Sequence, residues 1–60
     1  MMIKKGSMWW TSEGKKFVVI DEIVLEGFVW VHYRDATGDP PQEYSCYKES
    51  FISRFTPLLN

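Results

Sequence analysis

His32, Cys46 and the adjacent pair Asp21-Glu22 are the side chains whose types could carry bond chemistry. Each lacks the company that chemistry requires. A histidine acting as a base or metal ligand needs a nucleophile, a carboxylate or further ligands around it, and this chain has one His and one Cys, in separate segments. His32 therefore reads as a strand-surface residue. No histidine lies near Cys46 in sequence to depress its thiol pKa, so it reads as a small, half-buried hydrophobe. Asp21 and Glu22 are consecutive on a segment of strand character, which sends their carboxylates to opposite faces. They read as a solvated bend. The sequence assigns no catalytic residue, no metal ligand, no cofactor and no small-molecule substrate, and the expectation is a protein that is not an enzyme.

The aromatic residues offer a different chemistry, that of a binding surface. Along Phe28-Val-Trp-Val-His-Tyr-Arg34, strict alternation places Val29, Val31 and Tyr33 on one face and Phe28, Trp30, His32 and Arg34 on the other. The β-branched set reads as the core face. Trp9 and Trp10 are consecutive, so one of the two should face outward. The candidate binding residues are thus Trp9, Trp10, Phe28, Trp30, His32 and Arg34. Such a patch suits a partner protein or a second copy of the chain. The alternative is single-stranded nucleic acid, stacked on the rings and held by Lys4, Lys5, Lys15, Lys16, Arg34 and Arg54. Seven Lys and Arg stand against eight Asp and Glu, with a sequence pI near 5.7. That balance favours protein over a phosphate backbone.

The elements that must position these residues are legible from turn signals and periodicity. Met1 to Lys5 reads as a loosely attached terminus, Ser7 to Thr11 as a first strand, and Ser12 to Lys15 as a turn. Lys16 to Leu25 is a long second strand whose Val-Val-Ile and Ile-Val-Leu halves cannot share one face, which predicts a bulge or bend at Asp21-Glu22. Glu26-Gly27 is a hairpin turn into a third strand, Phe28 to Arg34. Gly38-Asp39-Pro40-Pro41 is an exposed loop. Glu43 to Tyr47 is a fourth strand. Tyr47, Phe51 and Phe55 recur at four-residue intervals, so Lys48 to Phe55 reads as a short helix with an aromatic stripe on the core. Thr56-Pro57 ends it, and Leu58-Leu59 forms a last short strand or a tail.

Sixty residues allow one hydrophobic core, hence a single domain over residues 1–60. With 45% hydrophobic and 17% aromatic residues, such a core needs most of its large side chains. One cysteine cannot staple it internally, which points to a reducing cytosol. No run approaches the length of apolar residues that a membrane span requires. The fold expected is mainly β, a small SH3-like barrel of four or five antiparallel strands with a short C-terminal helix.

The start Lys4-Lys5-Gly6-x-x-Trp9, the centre Phe17-Val18-Val19-Ile20 and Trp30-Val31-x-Tyr33, and the end Phe51-x-x-x-Phe55-x-Pro57 resemble the short uncharacterised accessory proteins of lambdoid phages and prophages. The likeness runs over nearly the whole chain, but its landmarks are glycine, aromatic and β-branched positions. They imply the small SH3-like barrel, action in the cytoplasm of a bacterial host, and a host or phage protein as partner. They supply no substrate.

Overall fold

The computed structural model describes residues 3–58. Its elements are β1 (Met8–Trp10), β2 (Lys16–Leu25), β3 (Phe28–Asp35), β4 (Glu43–Tyr47), α1 (Lys48–Arg54) and β5 (Thr56–Pro57). All five strands form one antiparallel sheet in the order β4-β3-β2-β1-β5. The mainly β fold with a short helix is the one the sequence predicts. It is barrel-like but open: β4 and β5 are the two edges of the sheet and do not pair with each other.

Two locally fixed registers define the sheet, and they disagree by one residue. At the β2–β3 hairpin, Glu26 (φ 52°) and Gly27 (φ 80°) both take the left-handed conformation that a tight two-residue turn requires, and Leu25 is set opposite Phe28. At the other end β1 and the Gly6-Ser7 segment just before it hold β2, with Val19 N–H donating to the Ser7 carbonyl and Gly6 N–H donating to the Val19 carbonyl. There Phe17 faces Asp35 and Val19 faces Tyr33. Continuing the hairpin register unbroken would point Val18 and Ile20 inward and turn Phe17 and Val19 to water. A bulge leaves Ile20 without a partner between Val19 and Asp21 and reconciles the two. The irregularity expected at Asp21-Glu22 therefore falls just before them.

Phe17 and Val19 hold their place because the core is assembled around them. Ile3, Trp9, Phe17, Val19, Val31, Tyr33, Phe51 and Phe55 form one buried cluster, with Cys46 and Ile52 packed against it. Phe17 meets Tyr33, Tyr44 and Phe55 edge to face at centroid separations of 5.5, 5.9 and 5.2 Å. Phe51 stacks on Phe55 at 4.5 Å and takes the edge of Trp9 at 4.9 Å. Such geometries add about 0.5 to 1.5 kcal/mol per pair beyond area burial.

Helix α1 brings Phe51 over the sheet, but its N-cap, Tyr47, is exposed and belongs to the end of β4. Pairing with Trp30 carries Tyr47 to the opposite face of the sheet, so the aromatic stripe is Phe51 and Phe55 without Tyr47. After the helix, Thr56 and Pro57 pair with Trp10 and Trp9, and Leu58 N–H donates to the Met8 carbonyl. The last strand thus begins before Leu58, and Leu59 lies outside the described residues. Ile3 is buried in the core cluster, which corrects the reading of Met1 to Lys5 as loosely attached; Met1 and Met2 also lie outside the described residues. Among the described residues no helix is long and apolar enough to cross a membrane.

Val31 is fully buried at the centre of this cluster. Val31→Ala is expected to destabilise the protein by about 1 to 3 kcal/mol in chemical denaturation, through lost transfer energy and a residual cavity. Glu26 occupies a left-handed position that costs a side chain with a Cβ about 1 kcal/mol or more. Glu26→Asn is therefore expected to raise the melting temperature, since Asn is the favoured residue at the first central position of this turn. A lowered melting temperature would contradict the turn geometry.

Candidate functional site

The bulge that buries Phe17 and Val19 also decides what the far half of β2 presents. Beyond Ile20, Asp21, Ile23 and Leu25 share a face with their partners His32, Trp30 and Phe28. Glu22 and Val24 turn to the other face with Val31 and Val29. The core does not extend under the hairpin tip. On the inner face this leaves Val24 exposed (70%) and Val29, expected on the core face, only half-buried outside the core cluster. On the outer face, which no element covers, Ile23, Leu25 (58% exposed), Phe28 (60%) and Tyr47 (46%) remain in water with Trp30 half-buried among them. Trp30 packs on Tyr47 at 4.3 Å and Phe28 on Tyr47 at 5.6 Å. This is a contiguous apolar surface at one end of the sheet, of the kind that marks an interaction site.

Around it the charges are mostly negative. Asp21 adjoins the patch on the same face, Glu26 sits in the turn, and Glu22 pairs with Val31 on the inner face. Glu49 joins Gly27, Phe28, Val29, Tyr47, Lys48 and Ser50 around a cleft of about 370 Å³ between the hairpin tip and the start of α1. The cation of this region, Lys48, is held by Glu22 with Nζ 3.4 Å from Oε2. That pairing answers the placement of a carboxylate beside the fully buried Val31, with one oxygen out of contact with water.

Of the residues expected to form a binding face, Phe28, Trp30, His32 and Arg34 do share one side of β3. His32 lies opposite Asp21 and Ser45, while Arg34 lies opposite Val18 and Glu43. The Arg34 guanidinium donates to the Asp35 carbonyl oxygen at 2.9 Å. The two tryptophans of β1 are not brought to this patch. Trp9 is only 3% exposed, in the core against Phe51, with its indole N–H donating to the Ser7 hydroxyl at 2.9 Å. It is excluded from any outer face because its cross-strand partner is Phe17. Trp10 is the exposed member of the pair at 41%, but it lies opposite Lys16. The run of β2 from Lys16 to Ile23 separates it from Trp30 by about 23 Å of strand path at ~3.3 Å per residue.

Ile23, Leu25 and Tyr47 are the members that the face assignment of β3 alone does not reach. For the first two the signal is the turn: a two-residue Glu26-Gly27 loop puts Leu25 opposite Phe28, and stepping back by two puts Ile23 opposite Trp30. Tyr47 joins through the pairing of β4 with Trp30.

A second cluster sits at the edge of the core, where Tyr33, Cys46 and Arg54 meet. Burial, and then the neighbouring Cys46 thiol, push the Tyr33 phenol above its ordinary value, with Arg54 acting the other way. The proximity of Cys46, and then of Tyr33, holds the Arg54 guanidinium more firmly protonated, while its Nε–H donates to the Ser50 carbonyl at 3.4 Å. The Arg54 guanidinium also lies 5.2 Å from the centre of the Phe55 ring. These contacts dock the end of α1 on the sheet. Among the described residues, no three His, Cys, Asp or Glu side chains gather closely enough to hold a metal ion.

Comparison with protein-family models, with curated proteins and with solved structures finds no match to the chain.

The raised Tyr33 pKa has a signed consequence. A phenol whose folded-state pKa exceeds its unfolded value contributes stability that is full below about pH 10 and is lost as pH rises through the folded value. Stability measured between pH 8 and about 11 is expected to fall more steeply for the parent than for Tyr33→Phe. Parallel curves would show that Tyr33 ionises as freely in the folded chain as in the unfolded one.

Proposed function

We infer that this protein is a non-enzymatic protein-interaction module that captures a partner through the apolar outer face of its β2–β3 hairpin and the end of β4. The observation that carries this reading is the cluster of exposed Ile23, Leu25, Phe28 and Tyr47 around the half-buried Trp30, left uncovered by the protein's own core. Its occupant is a protein surface with apolar side chains flanked by Lys or Arg, complementary to Asp21, Glu26 and Glu49 around the patch. The resemblance of the sequence to phage and prophage accessory proteins supports a bacterial setting, with a host or phage protein as partner and the host cytoplasm as compartment.

Single-stranded nucleic acid is the competing reading, and charge placement weighs against it. Stacking platforms for nucleic acid carry Lys and Arg beside the rings, to meet the phosphates. Here Asp21, Glu26 and Glu49 lie around the rings, and the adjoining Lys48 is paired with Glu22. Arg34, on the same face of β3, is about 13 Å along the strand from Trp30 at ~3.3 Å per residue and donates to the Asp35 carbonyl. Lys15 and Lys16 lie instead at the opposite end of β2, and Arg54 at the end of α1. The exposed Trp10 is nearer to those cations, but it is a single ring.

The test is a chemical-shift titration of isotope-labelled protein with two probes, an amphipathic peptide of alternating Leu and Lys, and oligothymidylate. The peptide is expected to perturb Ile23, Leu25, Phe28, Trp30 and Tyr47. Trp30→Ala should weaken that binding by about 2 kcal/mol, as truncating a central aromatic does, while costing less stability than Val31→Ala. Perturbation of the same residues by oligothymidylate, lost steeply with added salt, would overturn the reading in favour of nucleic acid. Unfolding of Trp30→Ala would place Trp30 in the core and remove the surface altogether.

A further inference from the structure

The two edges of the sheet are protected very differently. β5 is only two residues long and contains Pro57, which has no N–H to offer a further strand. β4 is five residues, Glu-Tyr-Ser-Cys-Tyr, without proline, lysine or bulge. Which of its backbone groups point outward follows from one hydrogen bond. Asp35 N–H donates to the Gln42 carbonyl at 3.0 Å, so the Asp35–Gln42 pair is a bonded one. In an antiparallel ladder bonded and non-bonded pairs alternate. Tyr44 and Cys46 therefore bond to Tyr33 and Val31, whereas Glu43, Ser45 and Tyr47 direct both N–H and C=O away from β3. All three residues are exposed. The Tyr47 carbonyl, as the N-cap of α1, accepts the first hydrogen bond of the helix, and among the described residues no side chain bonds to the backbone of Glu43, Ser45 or Tyr47 on that side.

We propose that β4 pairs with β4 of a second copy, antiparallel and about a twofold axis at Ser45, joining the two sheets into one. The choice of a second copy rests on self-complementarity. With Ser45 opposite Ser45, Glu43 of each copy lies opposite Tyr47 of the other. The two Ser45 residues exchange both bonds, each Tyr47 N–H meets a Glu43 carbonyl, and each Glu43 N–H shares the Tyr47 carbonyl with the first turn of α1. Shifting the register by two residues in either direction leaves one of the three without a strand partner, because Pro41 or Glu49 of α1 would have to supply it. A shift by one residue sets outward groups against inward ones. The register also suits the charges. The uncharged Ser45 occupies the axis, and Gln42-Glu43 of each copy runs alongside Tyr47-Lys48 of the other, so a carboxylate meets the neighbourhood of an ammonium at both ends. The outer faces lie on one side of the joined sheet, which sets two Phe28–Trp30–Tyr47 clusters side by side. This pairing uses backbone groups of the edge and stands whether or not the apolar face captures a partner.

Sedimentation equilibrium and amide hydrogen exchange across a concentration series test it together. The parent chain is expected to dimerise reversibly, and the Glu43, Ser45 and Tyr47 amides should gain protection as concentration rises, while Tyr44 and Cys46 are protected throughout. Ser45→Pro removes a donor that the folded protomer does not use, and Ser45→Lys places two like charges on the axis. Each should raise the dissociation constant by about tenfold or more, since both copies are altered. The two variants differ chemically, so a folding defect in one leaves the other as the measure. A chain that stays monomeric at millimolar concentration overturns the proposal. So does a dimer in which the Glu43, Ser45 and Tyr47 amides exchange as fast as in the monomer.

Discussion

The constraint on which the rest of the structure depends is the one-residue mismatch along β2. A side-chain period of two means that a single extra residue exchanges inside for outside over everything beyond it. The tight turn at Glu26-Gly27 fixes the pairing at one end, and the grip of β1 on Val19 fixes it at the other. The bulge at Ile20 lets both stand. On one side of it, Phe17 and Val19 complete an aromatic core. On the other, Ile23 and Leu25 join Phe28 and Tyr47 in water around the half-buried Trp30. Core and candidate site are consequences of the same irregularity.

A chain of this size cannot leave so much apolar surface exposed at no cost, since buried area is what offsets its ordering entropy. The core meets that demand by density of rings. Phe17, Tyr33, Phe51 and Phe55 form a closed set of stacked and edge-to-face contacts, with Trp9 and Tyr44 at its margins. Polar atoms near it are answered unequally: the Trp9 indole N–H donates to the Ser7 hydroxyl, whereas the buried Glu22 Oε2 has the Lys48 ammonium 3.4 Å away as an ion pair but no hydrogen bond. With the core packed this way, the hairpin tip is free to project beyond it. Its carboxylates keep the apolar tip soluble and bias what can dock there.

How much of this was legible in the sequence depends on the range of the interaction responsible. β2, β4 and the helix could be read from local periodicity, and the faces of β3 from alternation, because burial rewards those patterns directly. The choice between Trp9 and Trp10 could not be made locally. It is settled by the pairing of Trp9 with Phe17 and by the helix that lays Phe51 on it. The bulge position was visible as a conflict between the two apolar halves of β2, but its placement at Ile20 depends on where β1 grips the strand, a contact between distant segments. Tyr47 fits a helical aromatic stripe by spacing, yet strand pairing with Trp30 claims it first. The exposed set could have been drawn more fully from the turn alone, since Glu26-Gly27 dictates that Leu25 meets Phe28.

The most direct measurement of the central claim is a map of through-space proton contacts from the Val19 and Ile23 methyl groups in the folded protein. The register with Ile20 unpaired predicts contacts from Ile23 to the Trp30 indole together with contacts from the Val19 methyls to the Tyr33 ring, whereas an unbroken hairpin register would bring Ile20 to Tyr33 instead. Contacts from Ile23 to Val31 or to the Phe51 ring would instead put the far half of β2 in the core and contradict the account.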